Sequence, residues 1–426
     1  MSDTLAAKES SASQSARAVS EELLDFEAPP KRQGSGRTFD RVIFHVDMDS
    51  FYASCELSRR PELPRDLPFI VGADPKEGKG RGVVIACNYP ARKLGIHSAL
   101  PISRAWELCP TAVFVRPDFA FYGEVSSRVI SLIRPLADKV EQVSIDEAYM
   151  DVTGRIFELK SREPAGIGKE TAAARVDGDV RGSDEEAITE LARSIKKAVI
   201  EKERITCSIG VANSKIVAKI ATDMNKPDGL TIVFPEDVQE FLAPLPVGKI
   251  PGVGRVTERV LQSEFKVYKI SDLRSVELEA LSARFGQKSA LWLNRVASGI
   301  DESEVVEHWD PVSLSGETTF EEDEGDYQRI RKVMFDVAIE VHGRAERDHY
   351  MFKNVGIKVR FTGFETHTRS RSLSAATESL EVLKRECDKL LSEFASSGKK
   401  VRLIGVRVSG LVKIEKEQLT LLEWEE

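Results

Sequence analysis

Residues 41–52 read Arg41-Val-Ile-Phe-His-Val-Asp47-Met-Asp49-Ser-Phe-Tyr52, and the fold hangs on this stretch. The apolar run Val42, Ile43, Phe44 and Val46 predicts a buried strand carried into an acidic end. A carboxylate placed there is costly to ionise unless it meets a cation. A second acidic feature, Ser144-Ile-Asp146-Glu147-Ala-Tyr149, lies between two short strands predicted at 140–145 and 148–152. Neighbours on a flat strand point to opposite faces, so both carboxylates serve one site only where the chain turns, as at a hairpin. Asp47, Asp146 and Glu147 would form an all-oxygen set without His or Cys, which suits Mg²⁺ rather than zinc. Two such ions about 3.5–4 Å apart would activate an attacking hydroxyl and steady a leaving pyrophosphate. Taken singly, each motif reads equally well as a strand-end cap or a solvated turn.

The surroundings give a topology. Val129, Leu132, Ile133 and Leu136 recur at helical spacing. Ser183 and Glu186 form a capping-box signal that opens a helix with Ile188, Leu191, Ile195 and Val199 on its apolar face. A strand at 205–211, a helix at 214–224 and a strand at 230–234 follow. The order is β-(insertion)-α-β-β-α-β-α-β, whose core is the split βαβ arrangement of ferredoxin-like sheets. Residues 51–117 are long enough for a small subdomain, and 155–182 read as a surface insertion. Short helices follow from 235 to about 300, then an acidic linker at 301–311. Residues 312–413 alternate strands and helices and form a separate α/β domain. Residues 1–38 and 414–426 read as tails.

The chain has 426 residues, about three domains' worth, with 41% hydrophobic and 31% charged residues. That composition excludes a fibrous or wholly disordered protein. No apolar run reaches the ~18 residues that would span a bilayer, and no apolar leader opens the sequence, so an intracellular, cytoplasmic protein is expected. Five scattered cysteines without a C-x-x-C pair argue for reduced, buried thiols. The net charge of −8 weighs against nucleic acid, but a phosphate-binding surface needs only a local basic patch.

Phosphate chemistry needs cations facing the carboxylates. Asn88-Tyr89-Pro-Ala-Arg92-Lys93 supplies a phenol and a guanidinium three residues apart, and Lys226 lies between a helix and a turn. Ile250-Pro251-Gly252-Val253-Gly254, between short helices, is the signal of a helix-hairpin-helix that offers backbone N–H groups to DNA phosphates. Residues 313–413 carry 18 Lys and Arg against 16 Asp and Glu, with acids concentrated at 317–326, so the later strands are basic. Phosphate contacts are expected from Arg329, Arg331, Lys332, Arg369 and Arg371. His45, Trp106 and Trp292 read as core residues.

These four motifs, in this order, resemble the Y-family of translesion DNA polymerases, with the DinB-like branch fitting best over about residues 40–413. The resemblance implies an α+β right hand: a ferredoxin-like palm at 39–50 and 118–233, and small fingers at 51–117. A helical thumb with the helix-hairpin-helix at 234–300 and an α/β little finger at 312–413 complete it. It implies Asp47, Asp146, Glu147 and the Met48 carbonyl as ligands of two Mg²⁺ ions, with Mn²⁺ as a substitute. Tyr89, Arg92 and Lys226 would bind the triphosphate. Tyr52 would be the steric gate beneath the sugar, with Phe51 beside it, and Ile85 and Ala86 would lie over the nascent base pair. The role of Asp49 is left open. The implied activity is template-directed, low-fidelity primer extension past damaged bases, from dNTPs, with release of pyrophosphate. The implied host is prokaryotic and the implied state a monomer. Two rivals are a nucleotidyl cyclase, which shares this palm, and a non-catalytic DNA-binding scaffold. The linker departs from the basic linkers of many relatives. Gln418-Leu-Thr-Leu421-Leu-Glu-Trp424 resembles a peptide that binds a sliding clamp.

Overall fold

A computed structural model describes residues 38–63, 65–161 and 183–414. The N-terminal tail up to residue 37, residues 162–182 of the expected insertion and the clamp-like peptide lie outside the described residues. The chain divides into two compact units, Met1–His308 and Trp309–Glu426.

The first unit begins with β1 (Ile43–Met48) and α1 (Phe51–Ser58). Next come β2 (Phe69–Gly72), β3 (Val84–Cys87), α2 (Tyr89–Lys93), α3 (Ile102–Leu108) and β4 (Val113–Val115). Then α4 (Phe119–Ile133), β5 (Lys139–Gln142), β6 (Glu147–Asp151), α5 (Thr153–Ser161), α6 (Asp184–Glu203), β7 (Cys207–Ala212), α7 (Lys215–Thr222) and β8 (Leu230–Ile232) complete the predicted order. Residues 155–161, expected in an insertion, instead continue α5, whose Ile156 is buried in the core.

β1 is buried along its whole length because it is the middle strand of the sheet β5-β6-β1-β7-β8. Its side chains alternate. Phe44, Val46 and Met48 enter a core with Val129 and Ile133 of α4 and with Ile188, Leu191, Ile195 and Val199 of α6. Ile43 faces the other way, into a core with Val217, Ala218, Ile220 and Ala221 of α7. His45 and Asp47 share that second side by the same period, so the strand delivers a carboxylate beneath α7. Ser183 and Glu186 form the predicted capping box at the start of α6.

Residues 69–115 build a separate sheet, β3-β2-β4, over a small core containing Ile70, Val84, Ile96 and Ile102. Ile85 is the extra residue of an irregularity there, since Val71 pairs with Ala86 while Gly72 pairs with Val84. Such a bulge re-aims side chains that a flat strand would alternate.

After β8 come α8 (Val238–Leu242), α9 (Arg255–Phe265), α10 (Ile270–Leu273), α11 (Leu278–Phe285) and α12 (Gln287–Ala297). The expected acidic linker is docked on its own unit as far as Glu307. Val305 is buried, Asp301 accepts the Ile216 N–H at the start of α7, and buried Glu141 takes both the Val306 N–H and the Lys215 ammonium. Glu302, Glu304 and Glu307 pair with Arg295, Lys139 and Arg134. The linker's acids therefore face basic groups of the first unit.

In the second unit, β9 (Ser313–Glu324), α13 (Tyr327–Arg347), β10 (Tyr350–Phe361), β11 (Thr366–Thr377), α14 (Leu380–Ser392) and β12 (Val401–Lys413) form an antiparallel sheet, β11-β10-β12-β9. Val355, Ile357 and Val359 of β10 join α13 and α14 in one core. The opposite sheet face carries Asn354, Gly356 and Lys358. Opposite these, register places Ser372, Ser370 and Thr368 on β11, and Ser409, Arg407 and Gly405 on β12. Ser313, Ser315 and Glu317 of β9 continue the three rows.

Candidate active site

Asp47 and Glu147 are direct cross-strand partners of β1 and β6, so both leave the sheet on the side of α7. Each meets a lysine: Lys226 Nζ stands 2.7 Å from Asp47 Oδ2, and Lys219 Nζ 2.7 Å from Glu147 Oε2. Burial, with Glu147 adding to it, raises the Asp47 pKa to about 7 in spite of Lys226. Burial also pushes Glu147 upward, but hydrogen bonds from Lys219 and Asp47 overcome it and hold Glu147 below the usual carboxylate range. His45 lies next along β1 and is 1% exposed, with Nδ1 2.8 Å from Thr222 Oγ1. Burial, then the Lys219 charge, lowers its pKa to about 3, so it is a neutral core ring as the sequence predicts.

Asp146 occupies the β5–β6 turn, where Val143 and Ser144 both donate to the Glu147 carbonyl. The expected hairpin is present. Ser144 Oγ donates to Asp146 Oδ1 at 2.6 Å and accepts the Glu147 N–H at 2.9 Å, a supporting role. The Met48 N–H donates to the Asp146 carbonyl at 3.0 Å, which ties the turn to the end of β1. Among the described residues, no three His, Cys, Asp or Glu side chains stand close enough to hold a metal ion as they lie. The donor chemistry nevertheless fits a hard cation. Asp47 is buried and Glu147 half-buried, they project from paired positions of neighbouring strands, and each already attracts a cationic side chain, Lys226 and Lys219.

Asp49, whose role the sequence leaves open, is a structural hub. Its Oδ2 accepts from Thr206 Oγ1 at 2.7 Å and from the Asp228 N–H at 2.8 Å. Its Oδ1 accepts from Ser208 Oγ at 2.8 Å and, more distantly, from the Tyr89 hydroxyl at 3.5 Å. With 2% exposure and both oxygens committed, it fastens β7, the 226–229 turn and α2 to the end of β1. Tyr89 begins α2, whose N-cap Asn88 accepts the Ala91 N–H, and the Arg92 guanidinium lies 5.0 Å over the Tyr89 ring. Burial, then the Asp49 charge, raises the Tyr89 pKa to about 12, so the phenol stays protonated.

Tyr52 lies in the first turn of α1, packs against the Tyr122 ring and meets Phe119 edge to face. Burial, then the Asp146 charge, raises the Tyr52 pKa. Phe51 is a correction: at 2% exposure it belongs to the core that also holds Phe44 and Val46 rather than to a nucleotide surface. Ile85 is half-buried and Ala86 buried at the irregular step of β3.

The glycine hairpin has a particular geometry. Gly252 holds φ +97, and the Val253 N–H closes the turn on the Ile250 carbonyl. The Val253 N–H is therefore committed within the turn, and its side chain is buried. A Cβ at Gly252 would stand 3.1 Å from the Trp292 ring. Trp292, read as core, is 36% exposed, and Trp106 is only half-buried against Phe114.

The basic residues of the second unit need a larger correction. Arg371 and Arg369 are register partners of Val355 and Ile357, so they emerge on the helix side of the sheet. There they pair with Glu386 and Glu393. Arg331 clamps α13 to Asp388 of α14, and Arg329 pairs with Glu324. Lys332 is exposed on α13. The open sheet face instead carries Lys358, Arg360 and Arg407, of which Arg407 escaped the sequence reading. Lys219 and the partners of Asp49 escaped it too. Lys219 and Thr222, at i and i+3 on α7, were the available signal.

Known proteins agree with this architecture. Residues 46–223 match the model of the impB/mucB/samB family, 311–421 match the C-terminal domain of that family, and 235–266 match the IMS family HHH motif. The chain is 42% identical over 396 residues to DNA polymerase IV 2 of Methanosarcina mazei, covering 93% of this chain and 98% of that one. It is 43% identical to DNA polymerase IV of Methanoculleus marisnigri, covering 88% and 95%. A solved Y-family DNA polymerase chimera superposes with a TM-score of 0.75 at 28% identity, over 88% of this chain and all of that one. DinB from Sulfolobus solfataricus gives a TM-score of 0.56 with the same identity and coverage. Members of this family use divalent metal ions, which suits the carboxylates described above. With its motif order, its split βαβ palm and relatives above 40% identity along nearly the whole chain, the protein belongs to the Y-family of DNA polymerases and is a DNA-directed DNA polymerase.

Proposed function

We propose that this polymerase extends primers past damaged template bases, with low fidelity, using two Mg²⁺ ions. The observation that carries the reading is the pairing of Asp47 with Glu147 across β1 and β6, with Asp146 one residue away in the turn. Asp47, Glu147, Asp146 and the Met48 carbonyl would hold the metal. When bound, the ions would favour the ionised primer 3′-hydroxyl and offset charge on the α-phosphate and the departing pyrophosphate. The protein's own contribution is positional. Asp49 holds Tyr89 and the turn after Lys226 in one frame, so the phenol, Arg92 and the Lys226 ammonium can grip one triphosphate. Lys226 would exchange its Asp47 contact for phosphate oxygens. Tyr52, backed by Tyr122, would meet the sugar, and Ile85 and Ala86 the base pair.

The amides of Gly252 and Gly254 would receive duplex phosphates without reading sequence, and the open face carrying Lys358, Arg360 and Arg407 would do the same. These assignments make residues 234–300 the thumb and 312–413 the little finger. The C-terminal peptide at 418–424 is proposed, on sequence alone, as the contact for a sliding clamp, and the polymerase as a monomer. Primer extension over abasic and intact templates, with a magnesium titration, tests the central reading. Bypass that depends on Mg²⁺ and disappears in Asp146→Ala supports it, and arrest at every lesion opposes it.

A further inference from the structure

One carboxylate interrupts three rows of a sheet face. In the three adjacent rows of the open sheet face in the second unit, Glu317 is the only Asp or Glu. It lies on β9, two strands from Lys358 on β10, with Gly405 of β12 between them. The pair nevertheless forms an ion pair, each side chain about one-third exposed. Gly405 makes the reach possible. A Cβ there would stand 2.8 Å from Glu317 Cγ and 3.1 Å from the Gly316 carbonyl, so the acidic side chain crosses over a position that has no side chain of its own.

We propose that Glu317 is an affinity-limiting residue, an internal anion that competes with DNA phosphate for Lys358 and shortens each encounter with primer–template. The inference rests on the reading of this face as a DNA-binding surface. A phosphate arriving at the face must displace a carboxylate already held at the ammonium. Once displaced, that carboxylate stands unpaired beside the phosphate backbone and repels it. Arg407, one row away and exposed, carries no such internal partner among the described residues, so the handicap is specific to Lys358.

The test uses the full chain and a fluorescent primer–template, with affinity measured over a series of salt concentrations. Glu317→Gln is expected to bind severalfold more tightly at low salt. Its plot of log K against log salt should steepen by about 0.9, as for one further phosphate neutralised. With a DNA trap present, it should add more nucleotides per encounter than the wild type. Gly405→Ala keeps every charge but obstructs the path of the Glu317 side chain, and should shift affinity in the same direction. Wild-type affinity and slope in Glu317→Gln, with weakened binding in Arg407→Ala, would overturn the role of Glu317 while leaving the face intact. Unchanged binding in both Arg407→Ala and Lys358→Ala would remove the DNA-binding face itself, and the proposal with it.

Discussion

Tyr52 packs its ring 4.7 Å from that of Tyr122, at an angle of 34°. Tyr122 is in turn fixed, since its hydroxyl donates to the fully buried Glu56 carboxylate at 2.6 Å. A ring backed this firmly has little room to retreat from a 2′-hydroxyl, and selection by a clash depends on ring size rather than on the phenol. Tyr52→Phe should keep the preference for dNTPs, whereas Tyr52→Ala should admit ribonucleotides. Because Tyr52 is only half-buried, its truncation should cost about 1–2 kcal/mol, less than for a fully buried aromatic. Competitive incorporation of rNTPs and dNTPs, alongside thermal unfolding, reads both effects. A folded Tyr52→Ala enzyme that still rejects ribonucleotides as the wild type does would place the gate elsewhere.

Asp146→Ala should abolish nucleotide incorporation and leave primer–template affinity within about twofold, since the phosphate-binding surfaces assigned here lie outside the carboxylate set. Stopped incorporation with intact anisotropy binding is the expected pair of results. Near-normal extension would remove Asp146 from the chemistry.

Asp49 should behave as a structural residue with a catalytic consequence. Removing a buried, fully bonded carboxylate leaves the donors of Thr206, Ser208 and Asp228 without their acceptor. Asp49→Ala should therefore destabilise the chain by about 3 kcal/mol, and Asp49→Asn by less. The KM for dNTP should rise in the surviving Asp49→Asn enzyme as Tyr89 and the Lys226 turn loosen. Urea unfolding and steady-state kinetics would check this, and an Asp49→Ala protein of wild-type stability would contradict it.

Arg369 and Arg371 should separate from Arg407 in their effects. Arg369→Ala loosens the tie between β11 and α14 and should leave the salt dependence of DNA binding unchanged. Arg407→Ala should leave stability nearly unchanged and flatten the salt slope by about 0.9. Titrations at several salt concentrations distinguish the two, and equal slopes for the two variants would refute the assignment of faces.

Which of these features could be read in advance follows from their range along the chain. β1 and the hairpin at Asp146 were legible because burial and turning leave a local mark: an apolar run, a period of two, two adjacent acids. The capping box at Ser183 was legible for the same reason. The Asp49 hub was not, since its partners Thr206, Ser208 and Asp228 lie more than 150 positions away and meet it only through sheet register. Arg369 and Arg371 misled because basic residues on a strand do not announce their face. Only the pairing with β10 shows that they turn toward α14. Trp292 was read as core because its size favours burial, whereas it stands half-open against the Gly252 turn.

The docking of residues 301–307 bears on how such polymerases can be recombined. A protein engineer wishing to exchange the C-terminal module would find an attractive cut at Ile300, where helical pattern gives way to an acidic stretch. That cut would carry away the Asp301 carboxylate that caps α7, the helix bearing Lys219, and would leave buried Glu141 without the Val306 amide. It would also open the seat of Val305. The natural seam lies after His308. A donor module grafted there inherits an intact catalytic half, and one grafted eight residues earlier inherits a catalytic half whose active-site helix has lost its cap.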